Sequence, residues 1–298
     1  MKPSRVLVTG VSGPIGAALL PLLQQQGCEV VRLVRGPARD AHQISWDPAQ
    51  PVAPEAVSGF DAVIHLAGES IVGRWSEEKK QRIRDSRIRP TRLLAQALAS
   101  APQKPSVLVV SSAIGYYGSR GDEILTEQSP AGDQFLSAVC REWEAASEPA
   151  AQAGIRTAKI RTGVVLSMAG GALPQMVLPF KMFVGGKIGS GRQWWSWIHV
   201  ADHVRAIWHV LTNEALSGPV NVVAPRPVTN AQFTEELASG LKRPAIFPMP
   251  AFAARLAFGE MADELLLASQ RVQPARLEET GFIFQYPALE KALHQLLH

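Results

Sequence analysis

The sequence predicts an α/β fold: a doubly wound parallel sheet with a smaller, mostly helical C-terminal lobe. Three observations predict it. Short β-branched runs alternate with helix-length segments as far as residue 166, a glycine-rich loop joins the first strand to the first helix, and the later texture is of Gly-rich aromatic loops and Pro-broken helices. Arg5 to Thr9 reads as a buried strand, Ile15 to Gln26 as a helix and Glu29 to Val34 as a second strand, with Gly27 between them. This is a βαβ unit, and parallel strands need such a crossover. Ile44 to Trp46 reads as the third strand and Asp61 to Ala67 as the next. A charged helix over Ser76 to Ala99 and a strand over Ser106 to Ser111 follow. Phe135 to Ala151 reads as a helix, with Phe135, Leu136, Val139, Cys140 and Trp143 at helical spacing, and Thr157 to Leu166 as a strand. A helix over Val200 to Thr212 and a strand over Pro219 to Val223 rejoin the sheet.

The 298 residues, 46% hydrophobic and 19% charged, exclude a disordered or fibrous chain. A net charge of +4 is too small for a dedicated nucleic-acid binder. Cys28 and Cys140 form no CxxC pair and read as free thiols of a reducing compartment. The chain reaches Val6-Leu7-Val8 without room for a secretory leader, and no apolar run has bilayer-spanning length. A soluble cytoplasmic protein with no membrane or nucleic-acid partner is expected, and a homodimer is left open. No His/Cys/carboxylate cluster has ligand-like spacing, so no metal is expected.

Between the first strand and its helix lies Gly10-Val11-Ser12-Gly13-Pro14-Ile15-Gly16. Glycine at these three positions permits the tight turn, lets backbone N–H groups approach a pyrophosphate and allows close helix–strand packing, with the helix N-terminus facing the anion. The strand-loop-helix context makes this a Rossmann-type dinucleotide site. About twenty residues on, an acidic residue would bind the ribose 2′-hydroxyl of NAD. Arg35 stands there instead, able to pair with a 2′-phosphate, and Arg32 points to the same face. NADP is therefore the expected cofactor. Asp47 either meets the adenine amino group or forms a turn before Pro48. The expected division is residues 1–166 with about 199–225 as the NADP-binding domain, and 167–198 with 226–298 as the substrate-binding lobe.

Further blocks occur in order: Leu66 to Glu69, Arg74-Trp75, Ser86-Arg87, Tyr116 to Gly118, Trp143-Glu144, Gly189 to Gly191 and Trp197 to His199. With the glycine loop they resemble an atypical, extended short-chain dehydrogenase/reductase of the epimerase-like family. The stretch from Phe247 to Leu293, with Gly259-Glu260-Met261 and Gly281-Phe282, is similar to that family's small C-terminal domain. The resemblance covers nearly the whole chain. It implies an NADP site lined by Gly10, Gly13, Gly16, Arg35, Leu66, Ala67 and Arg87, and Ser12, Pro14, Ile15, Gly68, Glu69 and Ser111 join the candidate set. The rest of the basic run from Lys79 to Arg92 reads as a solvated helix face.

Ordinary members of the superfamily use a Ser with a Y-x-x-x-K pair, the Lys lowering the Tyr pKa. Here Ser112 matches the Ser, but Leu136 and Cys140 stand where Tyr and Lys would be. Tyr116 and Tyr117, in the loop after Ser112, are the remaining phenols near Arg120 or Arg141 and are the candidate replacements, the alternative being a packed wall under the nicotinamide. Arg192, Gln193, Trp194 and Trp195 are the candidate substrate residues, able to stack on a ring and pair with an anion. His199 and Asp202 read as structural residues that open the returning helix. The resulting expectation is an NADP-binding, epimerase-like oxidoreductase acting on a small alcohol, carbonyl or nucleotide-sugar-like substrate. The alternative is a non-catalytic NADP-binding regulatory protein.

Overall fold

The computed structural model describes residues 2–298. Seven strands form one parallel sheet in the order Gly218–Val222, Arg156–Thr162, Val107–Ala113, Ala62–His65, Arg5–Thr9, Glu29–Val34 and Gln43–Ser45. This is the doubly wound sheet the alternation predicts. Successive side chains of a strand point to opposite faces, and both faces are covered. Val6, Val8, Ile64 and Val109 pack with Leu19 and Leu23 of the first helix and with Ile207 and Val210 of helix Val200–Thr212. Leu7, Val63, Leu108 and Val110 pack on the other side with Leu94 and Leu98 of helix Glu77–Ser100 and with Trp143. The sheet order reverses at the first strand, and the glycine loop and residues 66–69 lie at the carboxyl ends of its central strands, where such sheets bind ligands.

Three local expectations are corrected. The helix over Phe135 to Ala151 is two helices, Phe135–Ala145 and Glu148–Gln152. Ser147 intervenes, its hydroxyl donating to the Glu144 carbonyl at 2.6 Å, the local competition that makes serine a helix terminator. The strand over Thr157 to Leu166 breaks at Gly163, where a Cβ would lie 2.6 Å from the Ser196 carbonyl oxygen. The segment expected to be loops contains helix Ala172–Lys181.

The C-terminal lobe has its own apolar centre. Leu173, Val177 and Phe180 of helix Ala172–Lys181 meet Phe233 and Leu237 of helix Asn230–Leu241 and Leu289 and Leu293 of helix Leu289–Leu297. Asp202 ties the chain's end to the sheet domain, its buried carboxylate accepting from the Gln285 and Tyr286 N–H groups at 2.8 and 2.7 Å. His199 caps its helix by accepting from the Ala201 N–H at 3.0 Å. Both residues are structural, as their positions at the helix start predict. Among the described residues no helix is long and apolar enough to cross a membrane.

Candidate functional site

The three loop glycines do different work. Gly10 has φ +74°, and a Cβ there would sit 2.6 Å from the Leu66 carbonyl carbon and 2.8 Å from the Ala67 nitrogen. A Cβ on Gly16 would sit 2.5 Å from the Val11 Cα. These two glycines let the first strand, the loop and residues 66–67 touch backbone to backbone. Gly13 is unlike them: the nearest neighbour of a Cβ there is the Gly10 carbonyl oxygen at 3.6 Å. No protein atom demands its bareness, which leaves open space at the start of helix Pro14–Gln25. That helix begins with no side-chain cap and no acidic residue in its first turn, and Pro14 has no N–H to satisfy. The Gly13 N–H closes the turn onto the Gly10 carbonyl at 3.3 Å, and the helix start and its dipole make an anion site with no acidic residue in the first turn. The residues present thus fit a dinucleotide pyrophosphate.

Thr9, at the end of the first strand, fixes the opposite wall. Its hydroxyl oxygen accepts from the Leu66 and Ala67 N–H groups at 3.1 and 3.3 Å and lies 2.8 Å from His65 Nδ1. Burial pushes the His65 imidazole down to a pKa of about 4, so it is neutral. Since the Thr9 oxygen already accepts twice, its proton goes to Nδ1. Gly68 lies over the Arg87 guanidinium, whose Nη2 donates to the Glu69 carbonyl oxygen at 2.9 Å and whose plane faces the Trp143 ring. Burial lowers the Arg87 pKa from the ordinary arginine value. Arg87 thereby holds residues 68–69 in place. Glu69 is spent on Lys79 at 2.6 Å and Arg82 at 3.3 Å, and the Lys79 hydrogen bond holds its carboxyl below the usual range. Lys80 likewise pairs with Glu260 and Arg84 with Glu142, so much of the basic run is neutralised.

At the far end of the nucleotide crevice, Arg35 follows its strand and is exposed, with no side-chain partner among the described residues. Arg32 is not its companion: it donates to Asp40 Oδ2 at 2.8 Å, and Asp40 in turn accepts from the His42 N–H at 2.9 Å and the Gln43 Nε2 at 2.9 Å. Arg32, expected on the same face as Arg35, is thus engaged by the acid five residues beyond Arg35. Asp47 forms the turn, accepting from the Ala49 N–H at 2.9 Å. Ser12 is exposed in the loop, and Ser111 is half-buried at the end of its strand.

Ser112 and Tyr117 are drawn inward. The Ser112 hydroxyl, 3% exposed, donates to Glu144 Oε1 at 2.7 Å. Glu144 is gripped by Arg161, Nε to Oε1 at 2.8 Å and Nη2 to Oε2 at 2.9 Å. Arg161 Nη1 donates to the Tyr117 hydroxyl at 3.1 Å, and that hydroxyl donates to Asn221 Oδ1 at 2.6 Å. Tyr117 is fully buried, and desolvation pushes its phenol up to about 12, outweighing the lowering effect of Arg161. A phenol that must shuttle a proton near neutrality needs the opposite shift. Burial works against the Arg161 charge, but its hydrogen bonds to Glu144 hold its pKa above the ordinary value. Tyr116 is different: half-buried, it lies edge-on to Tyr117 with the Arg161 carbon 3.4 Å from its ring centre. Cys140 is buried, and desolvation pushes its thiol up to about 12, which disfavours the thiolate.

A family model described as "NAD dependent epimerase/dehydratase family" matches residues 6–224, and one described as "Domain of unknown function (DUF1731)" matches residues 249–296. The chain belongs to the NAD dependent epimerase/dehydratase family. Epimerase family protein Mb2239 of Mycobacterium bovis is 43% identical over 295 residues, covering 98% of this chain and 97% of the relative. Epimerase family protein SDR39U1 of Homo sapiens is 38% identical over 299 residues, covering 98% and 99%. The crystal structure of human SDR39U1 (isoform 2) with NADPH matches with a TM-score of 0.90 and 37% identity over 98% of this chain and 99% of that one.

Of the substrate candidates in this epimerase-family chain, two are buried. Gln193 is buried, its Nε2 donating to the Ile188 and Leu266 carbonyl oxygens at 2.9 and 3.1 Å, and Trp195 is buried edge-on to Phe233. The strand Trp194–Trp195 pairs with Val228–Thr229, and Trp195 joins the apolar centre of the lobe. Trp194 is half-buried, bonded to Asp122 at 2.7 Å with Arg271 over its ring, and Arg192 is exposed. Arg161 is the residue the sequence reading missed. The available signal was a charged residue within a run otherwise fit for a buried strand, since a buried cation demands a partner.

Proposed function

We propose that this chain binds NADP(H) along the 10–16 loop and residues 66–69, with Arg35 on the 2′-phosphate, as an oxidoreductase of a small alcohol, carbonyl or nucleotide-sugar-like substrate. The single observation that carries the cofactor reading is the open face of Gly13 at an uncapped helix start. The NADPH in the human SDR39U1 crystal structure supports it. When bound, the nicotinamide supplies the hydride chemistry. The chain's own residues bind the phosphates, hold the crevice wall through Thr9 and Arg87, and leave Tyr116 as the one candidate phenol with solvent access. The substrate-binding role falls to the lobe of 167–198 and 226–298 with Arg192 and Trp194 facing outward, and two buried free thiols suit the cytoplasm.

A second reading, a non-catalytic NADP-binding regulatory protein, is favoured by one observation: Ser112 and Tyr117 are tied into the Glu144–Arg161 pair rather than presented to a substrate. NADPH absorbance, followed over a panel of small carbonyl compounds and nucleotide sugars, separates the two. The oxidoreductase reading expects NADPH consumption with at least one compound class, retained by Tyr117→Phe and lost in Tyr116→Phe. Tight NADPH binding with no consumption across the panel favours the regulatory reading.

A further inference from the structure

The C-terminal lobe carries an apolar surface that its own core does not use. Leu178 ends the outer side of helix Ala172–Lys181, and Met182, Phe183 and Val184 follow it, each at least half exposed. Residues 185–189 then run beside 247–249, the Phe247 N–H donating to the Gly185 carbonyl at 3.1 Å, Met249 to Lys187 at 2.9 Å and Gly189 to Met249 at 2.8 Å. That pairing sets exposed Ile246 and Phe247 next to the first group. Helix Ala251–Phe258 continues directly, burying Ala254 and turning Phe252 and Leu256 outward, 72% and 75% exposed. Phe183 holds φ +61°, a left-handed backbone that a bulky residue rarely adopts, with its ring outward beside Arg243. Single exposed apolar residues are ordinary, whereas a ribbon of eight is not.

Charge identifies the occupant. Neither 168–190 nor 240–259 contains an acidic residue, while Lys181, Lys187 and Arg243 are exposed within these segments without an ion pair to a described carboxylate. A second copy docking symmetrically would bring the same patch against itself and set like charges face to face. A small ligand would need a concave pocket that buries most of its surface, whereas these side chains are half to three-quarters exposed. An anionic bilayer surface offers what both features need, an apolar layer for aromatic and aliphatic side chains and phosphates for the cations.

We propose that this face, formed by residues 178–187 and 242–256, docks the protein peripherally on anionic lipid bilayers. Flotation of the full chain with vesicles of phosphatidylcholine alone, or with phosphatidylglycerol as a minority lipid, tests it. Binding to the anionic vesicles is expected to exceed that to neutral ones by about tenfold or more and to fall with added salt. The double variant Phe252→Ser, Leu256→Ser, altered only on the outer helix face, should lose that binding while keeping the parent's melting temperature, and Lys181→Glu with Lys187→Glu should remove its lipid selectivity. Absence of wild-type binding, or binding unchanged in both double variants, overturns the proposal. So does a dimer in sedimentation that Phe252→Ser, Leu256→Ser dissolves, which would make the face a self-interface. NADPH titration of the same samples is independent of each outcome.

Discussion

Gly10→Ala is expected to lose both NADPH binding and a substantial part of the fold's stability, while Gly13→Ala is expected to lose only the binding. At Gly10 an added methyl meets the Leu66 carbonyl carbon at 2.6 Å and the backbone is left-handed at φ +74°. Neither neighbour yields readily, because Leu66 and Ala67 directly follow strand Ala62–His65, paired to Arg5–Thr9, and their N–H groups are held by the Thr9 hydroxyl. Conformational strain and overpacking together cost about 3 kcal/mol or more, and the crevice wall shifts with them. At Gly13 the backbone is extended, φ −81° and ψ 165°, and the methyl would reach only the Gly10 oxygen at 3.6 Å. The fold should keep its stability to within about 0.5 kcal/mol. The methyl would occupy the approach of the pyrophosphate to the loop amides, weakening NADPH by about tenfold or more, roughly 1.4 kcal/mol. Thermal melts and NADPH titration of the two variants check this pair. Equal melting temperatures would contradict the packing argument, and unchanged affinity in Gly13→Ala would contradict the placement of the phosphates.

Glu144→Ala is expected to be the most destabilising side-chain truncation in the sheet domain. It strands Arg161, 3% exposed, without its counter-charge, and removes the acceptor of the Ser112 hydroxyl. Removing one member of a buried pair costs about 3–5 kcal/mol, mostly because the other charge remains buried. The melting temperature should fall on the order of 10 °C. Glu144→Ala combined with Arg161→Met, which removes the stranded charge, should recover a large part of that loss. A fall of less than about 1 kcal/mol, as is typical of exposed pairs, would show that the pair is hydrated in solution.

What the sequence made legible follows from which constraints are local. The first strand, its helix and the second strand are set by short apolar runs and by glycines whose roles are backbone geometry, and these stand within a residue or so of their expected bounds. Helix Ala172–Lys181 was hidden because glycines precede it and Pro174 and Pro179 lie within it. Pro174 falls in the first turn, where a missing N–H costs nothing, and Pro179 sits near the end. The site was legible where a single loop makes it. It was not where the partners are remote: Arg32 is taken by Asp40, and Ser112, Glu144, Arg161 and Tyr117 meet from two strands, an α-helix and the 3₁₀ turn Ile114–Tyr117. Pairings of that kind arise from tertiary packing, and one-dimensional spacing does not carry them. The same holds for Gln193 and Trp195, whose residue types suit a binding loop but whose side chains are buried against the Ile188 and Leu266 carbonyls and the Phe233 ring.

In the proposed cofactor reading, an open, uncapped loop and Arg35, without a side-chain partner among the described residues, together select a 2′-phosphorylated dinucleotide. The most direct test is a fluorescence titration of nucleotide-stripped protein with NADPH and with NADH, repeated on Arg35→Ala. A bidentate guanidinium–phosphate contact predicts a clear preference for NADPH, with the variant losing about tenfold or more of NADPH affinity and little of whatever NADH affinity exists. Equal affinity for the two nucleotides in the parent protein, or an NADPH preference that survives Arg35→Ala undiminished, would contradict it.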